Sequence, residues 1–145
     1  MSLLFNSDSS KGELALLLVR LGMAFSFVFD GIVKLGPTKT MMADMFSKMM
    51  MLPMGAAETL TVTIGALEIL SGILLVVGLL TKLAALLQVV IIVASIFFLA
   101  RLGVGDPNLP AVWKDPALLL LAIALIIRGA GKYSVDERIA QQRKK

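Results

Sequence analysis

The chemistry open to this chain rests on a few polar residues set inside long apolar runs. Glu68 stands in "GALEILSG" (residues 65–72), near the middle of an apolar run over 59–80. An ionisable side chain at that depth is expensive to desolvate and marks a functional position by default. Arg20 and Gln88 lie in two other apolar runs, over 14–35 and 83–102. At the helical rise, Arg20 and Gln88 sit roughly 9 Å, and Glu68 roughly 18 Å, from the ends of their runs that share one side. A long arginine side chain closes part of that difference, so Arg20, Gln88 and Glu68 are expected to form one polar cluster, with Arg20 the first cationic candidate for Glu68.

A second cluster is expected toward the opposite side. Asp30 and Lys34 are spaced i,i+4, the separation of a helix-surface ion pair. Arg101, Lys114, Asp115 and Glu58 fall at about that level, and Asp106 lies in the connecting "GVGDPNLP". Three readings of Glu68 stand side by side: a buried clamp fixing helix register, the polar end of a ligand site, and a step in a proton relay. Gly65 and Gly72 share nearly one face with Glu68, and Gly22 and Gly31 are available on the first run; small residues let a helix or a flat ligand approach closely.

These residues need spans to position them. The chain of 145 residues is 58% hydrophobic and 17% charged, with mean hydropathy +0.91. Soluble domains are less apolar and more charged than this, so the expected fold is an all-α, polytopic membrane protein forming a single domain over 1–145. Helices of ~20 residues cross the hydrocarbon layer, and four are expected, over 14–35, 59–80, 83–102 and 116–130. The last is shortest; Pro116 suits its first turn, Trp113 and Tyr133 suit its interfaces, and a re-entrant segment is the alternative. The turn near Thr81 and Lys82 makes the second and third helices antiparallel neighbours.

Residues 39–52 carry most of the methionines. Met41, Met42, Met45, Met49 and Leu52 follow helical spacing, between Pro37 and Pro53. Three uses fit: an amphipathic helix in the membrane interface, a pliable lid over a lipid-like ligand, and a thioether Cu(I) site. The N-terminal "MSLLFNSDSSKGE" is polar and lacks the pattern of a cleaved leader. Four spans put both termini on one side, with Lys11, Lys82, Arg128, Lys132, Arg138, Arg143, Lys144 and Lys145. That bias points to cytoplasmic termini, and the basic tail suits anionic lipid or plain solvation.

The sequence has neither Cys nor His. Disulfides, thiolate-held clusters, His-ligated haem, Cys/His zinc sites and Cys or His nucleophiles are excluded. No metal or nucleotide motif stands out, and "GAGK" at 129–132 reads as a glycine-capped helix end rather than a phosphate loop.

Three stretches carry a family resemblance: "LLLVRLGMAFSFVFDGIVKLG", "IGALEILSGILLVVGLLTKLAAL" and "KDPALLLLAIALIIRGAGKYSVDE". Together they resemble the DoxX family over roughly residues 14–137, the closing Lys132-Tyr133-Ser134-x-Asp136 being the most specific part. Arg20, Lys34 and Glu68 match the family pattern by position. The resemblance implies a four-helix protein of the prokaryotic plasma membrane, related to the membrane subunit of a thiosulfate:quinone oxidoreductase and to thiol-redox complexes. Asp30 stands where relatives often carry His, so it offers a proton acceptor or a partner for Lys34 instead of an imidazole. The resulting expectation is a redox-associated subunit with no redox centre of its own. It binds a quinone through Arg20, Asp30, Lys34, Glu68, Gln88 and Arg101, or docks an electron-carrying partner; Arg and Lys also suit an oxyanion such as thiosulfate. The alternatives are a non-catalytic scaffold subunit, by itself or as a homo-oligomer, and a small transporter or proton-conducting bundle. Nothing points to nucleic acid.

Overall fold

A computed structural model describes residues 9–36, 38–101 and 110–143. Pro37, Asp106, Lys144, Lys145 and the Arg101 side chain, all part of the sequence expectations, lie outside the described residues. The described residues form six helices and no strand: α1 (Ser9–Leu35), α2 (Lys39–Met50), α3 (Met54–Val77), α4 (Thr81–Arg101), α5 (Pro110–Arg128) and α6 (Val135–Gln142).

The apolar runs become helices because backbone groups in an apolar surrounding must be satisfied within their own segment. Their ends are set by local chemistry. Gly78 closes α3 in the left-handed conformation at φ 70°, its N–H donating to the Leu74 carbonyl. Met51 closes α2 in the same conformation, and Pro53 prevents continuation. The glycines of "GAGK" do the same after α5, Gly129 and Gly131 having φ of 84° and 76°.

Three described stretches, Ser10–Leu35, Met54–Val77 and Thr81–Ala100, are long and apolar enough to cross a membrane. The expected fourth span corresponds to α5, which starts at Pro110 rather than near 116 and holds Lys114 and Asp115 in its first half. Pro116 therefore lies inside the helix, not in its first turn. The expectation for 59–80 shifts too, because α3 begins at Met54, directly after the helix-stopping Pro53.

α1 and α3 pack along each other over the broadest interface, α4 pairs with α5, and α3 joins α4 through a tight turn; α1 and α5 touch over a narrower seam. Met23, Ala24, Phe27, Leu75, Ala85, Ile92, Ala122 and Leu125 form the shared core. The opposite faces stay apolar, with Phe25, Phe29, Val90, Leu120 and Ile127 all exposed, as suits contact with lipid rather than water. α2 lies across the first half of α3. Ala43 and Phe46 are buried against Ala57, and Phe46 meets Phe98 edge-on at 6.2 Å. Met42, Met45 and Met49 are half-buried, whereas Met41 turns outward. The helix is thus clipped to the bundle on its inner face, while its Lys48–Asp44 pair, at 2.6 Å, faces out.

The α1–α3 approach depends on glycine. A Cβ on Gly31 would lie 2.6 Å from the Gly65 carbonyl oxygen and 2.7 Å from Ile69 Cγ1. One on Gly72 would lie 2.6 Å from Val28 Cγ2. Gly22, expected to do similar work, meets nothing within 4 Å and faces outward. Gly31→Ala is therefore expected to lower stability by about 1–3 kcal/mol, the usual cost of overpacking. Gly22→Ala should be neutral or stabilising, since alanine is the better helix former. Unfolding of the two variants in mild detergent measures the contrast.

Candidate functional site

The close approach of α1 and α3 brings Lys34 and Glu68 together. The helices are antiparallel, and side chains lean toward their own helix N-terminus. Lys34 therefore leans toward mid-bundle and Glu68 toward the α2 end, so the two converge. Lys34 Nζ donates to Glu68 Oε1 at 2.6 Å and to Oε2 at 2.7 Å. The carboxylate side chain is only 3% exposed and the lysine 18%. Lys34, not Arg20, is the cation of Glu68.

Asp30 makes no bond to Lys34, despite the i,i+4 spacing. It accepts a charge-assisted hydrogen bond from Lys114 at the start of α5. Lys114 Nζ also lies 3.9 Å from Asp115 Oδ1, and Ser95 of α4 donates to Asp115 Oδ2 at 2.7 Å. The partners on other helices win because they are charges that would otherwise lie partly buried and unpaired. One layer thus holds Asp30, Lys34, Glu68, Lys114 and Asp115. The two pairs are carried by Asp30 and Lys34, one turn apart on α1.

Gln88 is fully buried and enters the layer indirectly. Its Nε2 lies 3.4 Å from Ser71 Oγ, and Ser71 donates to the Glu68 carbonyl at 3.0 Å. Gln88 Oε1 has no hydrogen-bond partner among the described residues. Side-chain bonds therefore cross every adjacent pair of long helices: Lys34–Glu68 for α1–α3, Gln88–Ser71 for α3–α4, Ser95–Asp115 for α4–α5 and Lys114–Asp30 for α5–α1. Lys114, Asp115, Ser95 and Ser71 are the members whose bonding partners the sequence reading did not assign. The signal for Ser95 was its seven-residue spacing from Gln88, which places both on one face of α4.

Arg20 belongs elsewhere. It is 1% exposed and lies about 15 Å along the bundle from Glu68, counted at the helical rise. Its Nε donates to the Leu75 carbonyl at 3.0 Å and its Nη2 to Val76 at 3.1 Å. Its Nη1 donates to the carbonyls of Ala130 and Tyr133 at 2.8 and 2.9 Å. The cation thus sits on the last carbonyls of α3, where the helix dipole is negative, and ties them to the segment after α5. The expected Arg20–Gln88–Glu68 cluster does not form, since nearly all of the guanidinium's donors are used here.

The closing signature completes this clasp. Asp136 accepts from Leu80 N at 2.8 Å and Thr81 N at 2.9 Å, capping α4 from a distant part of the chain. Its own N–H donates to the Gly78 carbonyl at 3.0 Å. Ser134 caps α6 by accepting from Glu137 N at 3.2 Å. Lys132 N donates to Glu13 of α1 at 2.6 Å. Tyr133 contributes its carbonyl, and its ring is exposed. The helix α6 was missed, although Ser134 followed by Glu137 is a capping spacing. Glu58, expected in the outer cluster, is half-buried in the second turn of α3. With Lys39 and Thr63 it borders a shallow groove of about 240 Å³ that includes neither ion pair.

The DoxX family model matches residues 15–101, which run from α1 through α4. The Arg20, Lys34 and Glu68 positions fall within the match; Lys114, Asp115 and the closing signature lie beyond it. No curated protein and no solved structure shows a match.

The buried pair generates a test. Lys34→Met leaves Glu68 buried without a cation and is expected to cost about 3 kcal/mol. Lys34→Met with Glu68→Leu removes both charges and should recover most of that loss, because apolar replacements of a buried pair are often neutral. Reversible unfolding of the single and double variants in detergent measures the difference.

Proposed function

The chain belongs to the DoxX family, and from that membership and the ionic layer we propose that it is a redox-associated membrane subunit that binds a quinol-type lipid headgroup between α1 and α5. The observation that carries the reading is the graded exposure of the layer. The Asp30 and Lys114 side chains are 28% and 23% exposed, Lys34 18% and Glu68 3%. Paired charges therefore run from the accessible α1–α5 seam to a buried carboxylate.

The residue chemistry suits a hydroxyl-bearing ring. Carboxylates of Asp30 and Glu68 accept the hydroxyl protons of a quinol, and the ammonium groups of Lys34 and Lys114 donate to carbonyl oxygens of the oxidised ring. Oxidation of a quinol releases two protons and two electrons. The carboxylates receive the protons; with no Cys or His in the chain, the electrons pass to a partner protein that carries its own redox group. The half-buried Met42 and Met45 let α2 adapt to a prenyl tail near the layer.

The same reading makes α5 a fourth crossing. Its pairing along α4, from Asp115 near one end to Leu125 near the other, supports this. Even crossings put both termini on one side. The basic residues of that side make it the cytoplasmic face of a prokaryotic plasma membrane.

A scaffold subunit is the second reading, favoured by one observation: the ammonium groups of Lys34 and Lys114 are already bonded to carboxylates. The two separate cleanly. Native purification in mild detergent, with mass spectrometry of extracted lipids and co-purifying proteins, should recover a quinone near one per chain. Asp30→Asn and Glu68→Gln should each lower it at least about tenfold, the equivalent of one charge-assisted hydrogen bond. Recovery of protein partners without quinone would establish the scaffold instead.

A further inference from the structure

The two ends of the bundle treat their cations differently. At the α2 end, Lys34, Lys48 and Lys114 each bond a carboxylate, and among the described side chains of that end Lys39 alone does not. At the clasp end, Lys11, Lys82, Lys132, Arg138 and Arg143 are exposed, and none has a carboxylate within 4.0 Å among the described residues. Arg128 reaches Glu13 only at 3.9 Å. The described carboxylates of this end are already committed. Glu13 holds the Lys132 N–H, Asp136 holds the first N–H groups of α4, and Glu137 accepts from Gln141.

Apolar side chains are interleaved with these cations. Ile127 is 77% exposed, Tyr133 55% and Leu80 52%, with Ile139 of α6 also exposed. Leu80 and Ile127 lie where α3, α4 and α5 begin or end, Tyr133 follows α5 and Ile139 is on α6, so the patch adjoins the outward apolar faces of the spans. Lysine and arginine lay their stems along apolar surface and extend the charge beyond it. The helix α6 cannot leave this level, because Asp136 in its first turn is bonded to Gly78, Leu80 and Thr81.

We propose that the clasp end, with α6, is a docking surface for the headgroups of anionic phospholipids. It is a set of exposed cations, interleaved with apolar side chains, at the edge of the apolar spans. Charge complementarity selects an anionic partner, and continuity with the lipid-facing apolar surface selects lipid over an acidic protein. Binding is independent of any ligand in the ionic layer.

The test uses the full chain in nanodiscs of mixed phosphatidylcholine and phosphatidylglycerol, released for native mass spectrometry. The wild type should retain phosphatidylglycerol in preference to phosphatidylcholine, and raised salt during release should strip it. Each basic residue at a membrane surface is worth roughly fivefold in binding. The triple variant Lys132→Gln, Arg138→Gln, Arg143→Gln should therefore retain at least about tenfold less, with an unchanged unfolding midpoint. Lys39→Gln with Lys48→Gln, at the α2 end, should leave retention as in the wild type. Equal retention of both lipids, or salt-insensitive retention in the wild type, would overturn the proposal. So would capture of an acidic protein at this end with no lipid preference.

Discussion

The backbone contact between α1 and α3 sets the position of everything polar in this bundle. At Gly31 the Gly65 carbonyl lies 2.6 Å from where a Cβ would stand, so the helices approach more closely than any side chain would permit. That distance fixes their register, and the register puts Lys34 within reach of both oxygens of Glu68. Once α1 is locked to α3, Asp30 faces α5 rather than α3, and Lys114 is the cation that meets it. A shift of one turn along α1 would separate both pairs together.

The other end is held on a different principle. There the chain pairs cation with carbonyl, and carboxylate with N–H, in place of ion with ion. Arg20 gathers the last carbonyls of α3 and two more from beyond α5, while Asp136 supplies the missing acceptor for the first N–H groups of α4. Both solve the problem of unsatisfied groups at helix ends. The guanidinium suits the task because its donors spread in a fixed plane. A lysine would bring one point of charge to carbonyls on two different segments. Gly78 must be glycine for two reasons. Its φ is positive, and a Cβ would lie 2.6 Å from Arg20 Nη2.

Hydrophobic length made the helices legible. The runs around Glu68 and Gln88 carry no competing signal, and the short turn at Thr81 forced them antiparallel. Gly65 and Gly72 were legible as a close-contact stripe because Glu68 shares it. The partners were less legible. Depth along an isolated helix allowed Arg20 to reach toward Glu68, but depth says nothing about which face a side chain takes, and Arg20 faces the carbonyls of α3's last turn. The i,i+4 spacing of Asp30 and Lys34 describes what an isolated helix would do; tertiary partners on α3 and α5 override it. Pro116 misled because proline most often opens a helix, whereas here it lies within α5. The helix α6 was obscured by its charge, which reads as a solvated tail until Ser134 and Glu137 are taken together.

The ion pair at the α1–α3 interface is redundant as a register device. Gly31, Gly65 and Gly72 already define that register, because a Cβ on any of them would lie within 3.2 Å of an atom of the facing helix. A buried ion pair adds little net stability over apolar residues of similar size, because desolvation offsets its Coulombic gain. In an apolar surrounding an unpaired remnant would be worse still. A bundle needing only cohesion would therefore do as well with apolar residues at both positions, as at the Gly65–Leu35 and Gly72–Val28 contacts. What leucine cannot provide is a carboxylate that takes a proton and an ammonium that donates one, held beside a seam open to the bilayer. Holding α1 against α3 does not by itself call for charges at these two positions, and the proposed quinol chemistry would give Glu68 a use that an apolar residue lacks.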